Sequence, residues 1–381
     1  MLELLFLLLP VAAGYGWIMG RNSIRNDDVA NQRKFYKQYT QSLNFLLDGQ
    51  KDEAIEQLIN FLEVNSSTIE THLVLANLFR RRGEFDRAIK IHSFLLQQVL
   101  PDELINKVKL ELGRDYVKAG IYGHAESTFL EILPNKNEEV VQEILNLYQI
   151  TKEWKKGIDV IQTIKSIHST DLKKSAAHFY CEYADLLSSQ YKTEAQLHTA
   201  LKIDPQCTRA LLALADFSIK NADYKSAKKH LLQILEVDKE FSADIADQLE
   251  HCYINLNEEY VFYEFLKSYS QPKLCVAFAI KYAKYIEKFE STENALQYMT
   301  QMLQDTPNIR AFIKLLELSK DAARSKTELV ETIRVLVSNY LKTKALYNCR
   351  NCGFNSNQRY WQCPSCHKWE CVKPSKGLDG R

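Results

Sequence analysis

Near its C-terminus the sequence reads Cys349-Arg-Asn-Cys352-Gly353 and then, after ten intervening residues, Cys363-Pro-Ser-Cys366-His367. Each CxxC pair can fold into a tight knuckle that turns both sulfurs toward one point. Two facing knuckles supply four thiolates in the tetrahedral arrangement that zinc or iron accepts. Gly353 relieves the first turn of a Cβ clash, and backbone N–H groups in each turn are aimed at the sulfurs. The pattern therefore predicts that Cys349, Cys352, Cys363 and Cys366 hold one metal ion, and the spacing does not choose between zinc and iron. Cys371 is left as a spare thiol, a structural residue or a substitute ligand, and His367 falls outside the two regular pairs. About thirty residues cannot sustain a core unaided, so the metal's binding energy must serve as folding energy. Tyr360, Trp361 and Trp369 are placed to cover the site or to dock it on the rest of the chain.

The remaining cysteines, Cys181, Cys207, Cys252 and Cys275, are solitary within helical segments and read as small core hydrophobes. His178 and Cys181 stand three apart and imitate a metal-binding pair, but packing of the aromatic-rich segment HFYCEY is the simpler account. There is no phosphate-cradling glycine loop, no Gly-x-Ser-x-Gly and no His-Glu-x-x-His, so no enzymatic chemistry is assigned to the chain. From Cys349 onward Arg350, Arg359, Lys368, Lys373, Lys376 and Arg381 face only Glu370 and Asp379, an excess of four positive charges. A basic ribbon with aromatics can touch nucleic acid. The expectation here is a solvated or partner-binding face, with no nucleic acid.

The elements that must position this cluster are helical. Glycine and proline together make up 20 of 381 residues, against about 12% in an average protein, too few for the corners of a many-turned β fold. Apolar residues at 46% and charged residues at 25% are globular values, and a net charge of +1 offers no global field. The length exceeds the roughly 250–300 residues at which one core stops growing, which calls for several domains or an array. An array is visible. Gly49 to Ala54, Gly83-Glu-Phe85-Asp-Arg-Ala88, Gly120-Ile-Tyr122-Gly-His-Ala125, Trp154-Lys-Lys-Gly157 and Tyr224-Lys-Ser-Ala227 repeat a turn, an aromatic and a small residue. The small residue recurs at steps of 34, 37, 32 and, across two copies, 70, which is the tetratricopeptide period. Ala76 and Ala88 should let paired helices approach closely. Asp204-Pro205 and Thr306-Pro307 end helices where such repeats do, and Ala295 stands in register with Pro307.

These features predict an all-α tetratricopeptide solenoid of six to eight repeats over residues 35–340, a metal-binding domain over 345–374 and a tail over 375–381. A solenoid of this kind holds other proteins rather than reacting with them. Arg80, Arg81 and Arg82 close a helix before Gly83; they cap and solvate that turn, or they contact an acidic partner or lipid headgroups. Residues 1–20 are apolar apart from Glu3, and at 1.5 Å per residue they just cross a bilayer. Arg21, Arg25, Arg33, Lys34 and Lys37 follow the apolar run, so the expectation is a single transmembrane helix, a linker over 21–34, and everything beyond on the cytoplasmic side. A reducing cytoplasm suits metal-binding thiols.

The order of these parts, MLELLFLLLPVAAGYGW, NLFRRRGEFDRAIKIH, LGRDYVKAGIY, YNCRNCGF, YWQCPSCHKW and KGLDG, resembles the lipopolysaccharide assembly protein B family. The resemblance spans nearly the whole chain. It implies a bacterial inner-membrane protein with cytoplasmic tetratricopeptide repeats and a rubredoxin-like metal domain whose ligands are Cys349, Cys352, Cys363 and Cys366. It further implies a regulatory adaptor that promotes degradation of the lipid A pathway deacetylase by a membrane-anchored AAA+ protease and gathers other lipopolysaccharide synthesis and transport proteins. A rubredoxin-type electron carrier on a repeat scaffold is the alternative. Redox rubredoxins place Gly after the second cysteine pair, where this chain has His367, which weighs against electron transfer.

Overall fold

The computed structural model describes residues 69–135, 137–164, 167–269, 275–322 and 327–380. The expected membrane span at 1–20, the linker at 21–34 and the turn at Gly49 lie outside the described residues. Among the described residues no helix is long and apolar enough to cross a membrane. The described residues divide into two compact units, one ending at residue 147 and the other beginning at residue 148.

In the first unit, α1 (Ile69–Arg81) pairs with α2 (Phe85–Leu96), and α3 (Asp102–Ala119) with α4 (Tyr122–Ile132). Ala76 and Ala88 are fully buried against each other's helices together with Phe79 and Ile91, so the small residues do permit the close approach. Gly113 serves the same purpose in the next pair. A Cβ there would lie 2.2 Å from a carbon of the Phe129 ring.

The helix α5 (Glu138–Thr151) leads into the second unit, which continues as α6 (Trp154–Gln162), α7 (Thr170–Leu186), α8 (Gln190–Ile203), α9 (Thr208–Lys220), α10 (Tyr224–Val237), α11 (Ser242–Asn255), α12 (Glu259–Tyr269), α13 (Val276–Phe289), α14 (Thr292–Asp305), α15 (Ile309–Ala322) and α16 (Thr327–Lys342). One core runs along it from Leu211 to Leu318, filled by the buried faces of successive helices. Leu231, Ile234, Leu249, Phe262, Leu266 and Met299 are at most 1% exposed there.

The repeat is easiest to see in its turns. Gly83, Gly120, Lys152, Ala222 and Asn257 all have positive φ, between 57° and 82°. Each stands two residues before a second helix that opens on Phe85, Tyr122, Trp154, Tyr224 or Glu259. In every case the next N–H reaches back to a carbonyl five residues earlier, as from Glu84 to Phe79, Ile121 to Tyr116, Glu153 to Tyr148, Asp223 to Ser218 and Glu258 to Tyr253. This is the Schellman closure, and it needs one left-handed residue. Glycine takes that conformation freely; Lys152 and Ala222 adopt it at a steric cost of about 1–2 kcal/mol that the packed pairs must offset.

After α16 the backbone changes character. Strands β1 (Tyr347–Cys349), β2 (Asn355–Ser356) and β3 (Val372–Pro374) form an antiparallel sheet in the order β2-β1-β3. The register sets Tyr347 opposite Ser356 and Pro374, and Cys349 opposite Val372. Tyr347, Cys349, Cys363 and Val372 form its buried cluster, with Pro374 also buried, a core too small to stand by itself, which gives the cysteines their structural weight.

Candidate metal centre

The sheet and the two knuckles bring the cysteines together. Cys349 ends β1, and its N–H donates to the carbonyl of Phe354 (2.8 Å) while its own carbonyl accepts from Gly353 N–H (3.0 Å). The second knuckle repeats this pattern: Cys363 N–H donates to Lys368 O (3.0 Å), and Cys363 O accepts from His367 N–H (2.9 Å). Each knuckle ends on a left-handed residue, Gly353 at φ 77° and His367 at φ 56°. His367 therefore occupies the conformational place of a glycine, and histidine is among the residues that tolerate it.

The Sγ atoms of Cys349 and Cys366 are 3.8 Å apart, and those of Cys352 and Cys363 are 3.7 Å apart. Two sulfurs bound at ~2.3 Å in a tetrahedral site would be separated by about 3.8 Å, so the donor set fits a thiolate-preferring ion. Cys371 also reaches the cluster. Its Sγ is 3.4 Å from Cys349 Sγ and 4.0 Å from Cys366 Sγ, and Cys349, Cys363, Cys366 and Cys371 have all four sulfurs within 4.8 Å of one another. Cys352, which spacing singled out, is exposed and reaches this group through Cys363, whereas Cys371, which spacing left out, lies within it. The sulfurs are not equivalent. The backbone N–H of Lys368 is the main influence on the Cys366 thiol and lowers it to about 6, whereas burial, then the neighbouring Cys349, pushes Cys371 well above its ordinary value. Cys371 also directs its S–H at Lys368 O (3.1 Å), the contact of a protonated thiol. Cys371 lies five residues past Cys366, outside any CxxC pattern, which is why spacing ranked it behind the two regular pairs.

The ribbon is docked on the second unit by residues that the sequence leaves unpaired. The Trp369 ring stacks on His178 of α7, centroids 4.3 Å apart and 8° from parallel, and its indole N–H donates to Gln149 Oε1 (2.8 Å). Trp361 stacks on Phe241 (5.6 Å), and the Arg359 guanidinium lies over the same indole (4.8 Å). Tyr347 donates its hydroxyl to Asp244 (3.0 Å), and Arg359 lies 3.6 Å from the same carboxylate. Arg350 and Lys376 share Glu240 at 3.0 and 2.8 Å, and Lys373 pairs with Asp238. Four of the six basic residues of the tail are thereby matched to the acidic stretch Asp238–Asp244. The ribbon's positive excess is the complement of an acidic patch on its own repeats.

The closing residues, expected only as a tail, are also held. Gly377 O and Gly380 O both accept from the Asn308 side-chain amide (3.1 Å each), and Leu378 O accepts from Ile309 N–H (3.0 Å). Asn308 in turn caps α15, its Oδ1 accepting from Arg310 and Ala311 N–H groups at 2.9 and 3.2 Å. A Cβ on Gly380 would lie 2.7 Å from Ser375 O, which ties the glycine of KGLDG to this close turn.

The three arginines expected at a partner surface divide. Arg81 and Arg82 are exposed. Arg80 is turned inward across to α3, where it binds Glu111 (2.5 Å) and the fully buried Asp115 (2.9 Å), which also holds His92 (2.5 Å). Its guanidinium is committed to the fold of the first unit.

A body of paired helices carrying a cysteine ribbon seated on its own repeats defines a tetratricopeptide-type scaffold with a rubredoxin-like metal domain. The comparisons agree with that class. The family model described as "Rubredoxin metal binding domain" matches residues 347–374. Lipopolysaccharide assembly protein B of Escherichia coli strain K12 is 34% identical over 393 residues, covering all of both chains. The protein of the same name from Haemophilus influenzae is 34% identical over 392 residues, 98% of each chain. A tetratricopeptide repeat protein of known structure from Parabacteroides merdae matches 72% of this chain and all of its own at 13% identity and a TM-score of 0.36; the repeat assignment rests on the helix pairs and not on that weak likeness. The chain belongs to the lipopolysaccharide assembly protein B family.

Proposed function

We propose that this chain is a membrane-anchored cytoplasmic adaptor that regulates lipopolysaccharide synthesis, itself without catalytic chemistry. In this reading residues 1–20 fix it in the inner membrane and the repeats bind client proteins. The clients are the lipid A pathway deacetylase and a membrane-anchored AAA+ protease that degrades it, together with other lipopolysaccharide synthesis and transport proteins. Full-length kinship with lipopolysaccharide assembly protein B of two bacteria supports the pathway. The observation that carries the adaptor reading is the seating of the ribbon. Trp369 on His178, the Asp238–Asp244 ion pairs and the Asn308 latch spread the ribbon over α7 to α15, so that the metal holds one continuous surface in shape rather than an independent reactive module.

Cys349, Cys352, Cys363 and Cys366 are the proposed metal ligands, with Cys371 the protonated neighbour. One zinc or iron ion there supplies a staple to a segment whose own core is only a handful of residues. The test is deacetylase turnover in cells in which this chain replaces the resident copy. Deletion of residues 1–20, or Cys349→Ser with Cys352→Ser, should lengthen the deacetylase half-life. Turnover at the unaltered rate in both variants would refute the adaptor reading.

A further inference from the structure

Where the ribbon meets the repeats, a second group of metal-ligating side chains lies outside the cysteine cluster. His178 is in α7, Cys207 immediately precedes α9, and Glu370 lies in the ribbon between Trp369 and β3. One ligand atom from each lies within 4.8 Å of the other two. We propose that His178, Cys207 and Glu370 form a second transition-metal site, suited to zinc, that bolts the ribbon to the repeats.

The first argument is the histidine. His178 is fully buried, and neither of its ring nitrogens has a hydrogen-bond partner among the described residues. A neutral imidazole always presents one donor and one acceptor, and burying both unpaired is costly. Glu370 Oε1 stands 3.5 Å from Nε2, at the far limit of hydrogen bonding and without its alignment. An ion between nitrogen and oxygen would satisfy both groups at once.

The second argument is the donor chemistry. Imidazole nitrogen, thiolate sulfur and carboxylate oxygen are the three donor types that zinc accepts together, whereas calcium and magnesium decline sulfur. A divalent ion with one thiolate, one carboxylate and one neutral imidazole is electrically neutral, as a buried site should be. Cys207 immediately precedes α9 and is buried beside the histidine. The first N–H of that helix, Thr208, donates to Glu370 Oε1 (3.1 Å) and so orients the carboxylate from behind. Cys181, one turn beyond His178 on α7, has its sulfur 4.0 Å from that of Cys207. Trp369 covers the group by stacking on His178.

A buried water bridging His178 and Glu370 is the competing occupant, and metal stoichiometry separates the two. The detergent-solubilised full chain is loaded with zinc, freed of loose metal by gel filtration and analysed by inductively coupled plasma mass spectrometry. Two zinc ions per chain are expected, falling to one in Cys207→Ser and to one in Glu370→Gln, which keeps the acceptor for Thr208 N–H. Zinc-edge absorption should display imidazole scattering in the wild type and lose it in both variants, because the cysteine cluster alone offers only sulfur. Glu370→Gln preserves side-chain volume, so a folding failure confined to Cys207→Ser leaves the test intact. One ion in the wild type, or two ions in both variants, would overturn the proposal.

Discussion

Replacing Trp369 with alanine should release the ribbon without unfolding the repeats. The indole makes two separable contacts in the second unit: the stack on His178 at 4.3 Å and the N–H donated to Gln149 at 2.8 Å. The stack contributes about 1 kcal/mol beyond area, the hydrogen bond about 1 kcal/mol net, and loss of the half-buried ring's apolar contact about 1 kcal/mol more. The total of about 3 kcal/mol corresponds to roughly a hundredfold shift in the equilibrium between docked and open ribbon. Trp369→Phe retains a ring over His178 and loses only the N–H, so its shift should be about fivefold. Native-state hydrogen exchange followed by mass spectrometry reads this directly, because local opening exposes the amides of 347–374 and of the middle of α7 around His178 while the core of α13 and α14 stays protected. The expected order is alanine fastest, phenylalanine intermediate and wild type slowest, with the metal of the cysteine cluster retained. Equal exchange in wild type and Trp369→Ala, with the metal retained, would refute the claim that this residue holds the ribbon to the repeats.

Other outcomes follow from the same contacts. Arg80→Ala strands the fully buried Asp115 and should cost about 3–5 kcal/mol in denaturant unfolding of the first unit, with Lys a poor replacement for a forked donor, whereas Arg81→Ala and Arg82→Ala should each stay within about 0.5 kcal/mol. Gly113→Ala drives a methyl into the Phe129 ring and should lower stability by about 1–3 kcal/mol or more, read as a drop in thermal midpoint. Stripping the ribbon metal with a strong chelator should abolish protection of 347–374 and restore it on adding metal back; protection that survives chelation would contradict a metal-dependent ribbon. Acid should weaken the repeats through Glu111 and Glu250. Burial raises both carboxyls, but Arg80 and Arg114 in one case and Lys281 and Lys284 in the other outweigh it, leaving each below its ordinary 4.5. The unfolded chain then binds these protons more tightly, so the stability they contribute is present above pH 4.5 and is lost as pH falls through the folded values. Urea midpoints from pH 7 downward should decline below that point, and less steeply in Arg80→Ala.

The legible parts of the sequence were those governed by local rules. The CxxC pairs announce knuckles because two residues of spacing suffice to aim two sulfurs, and both knuckles fold with the same backbone hydrogen bonds. Gly83 and Gly120 announce left-handed closures because glycine is the residue that adopts them most freely. The later copies fade for a specific reason. Lys152, Ala222 and Asn257 hold the same left-handed turn with side chains that do not advertise it, so geometry persists where the residue type has drifted.

By itself the sequence determined a helical repeat array, a four-cysteine knuckle pair and a basic, aromatic-rich tail, because period, spacing and composition act over a few residues. Only the tertiary structure decided what those features meet. Trp369 and His178 are separated by nearly two hundred positions, and Lys373 and Asp238 by 135. Which of three adjacent arginines turns inward, whether Cys371 joins the sulfurs, and why the tail's charge faces Asp238–Asp244 depend on how the chain returns upon itself. No local propensity encodes such a return; it is set by the burial and charge pairing of surfaces that come together only once the repeats have stacked.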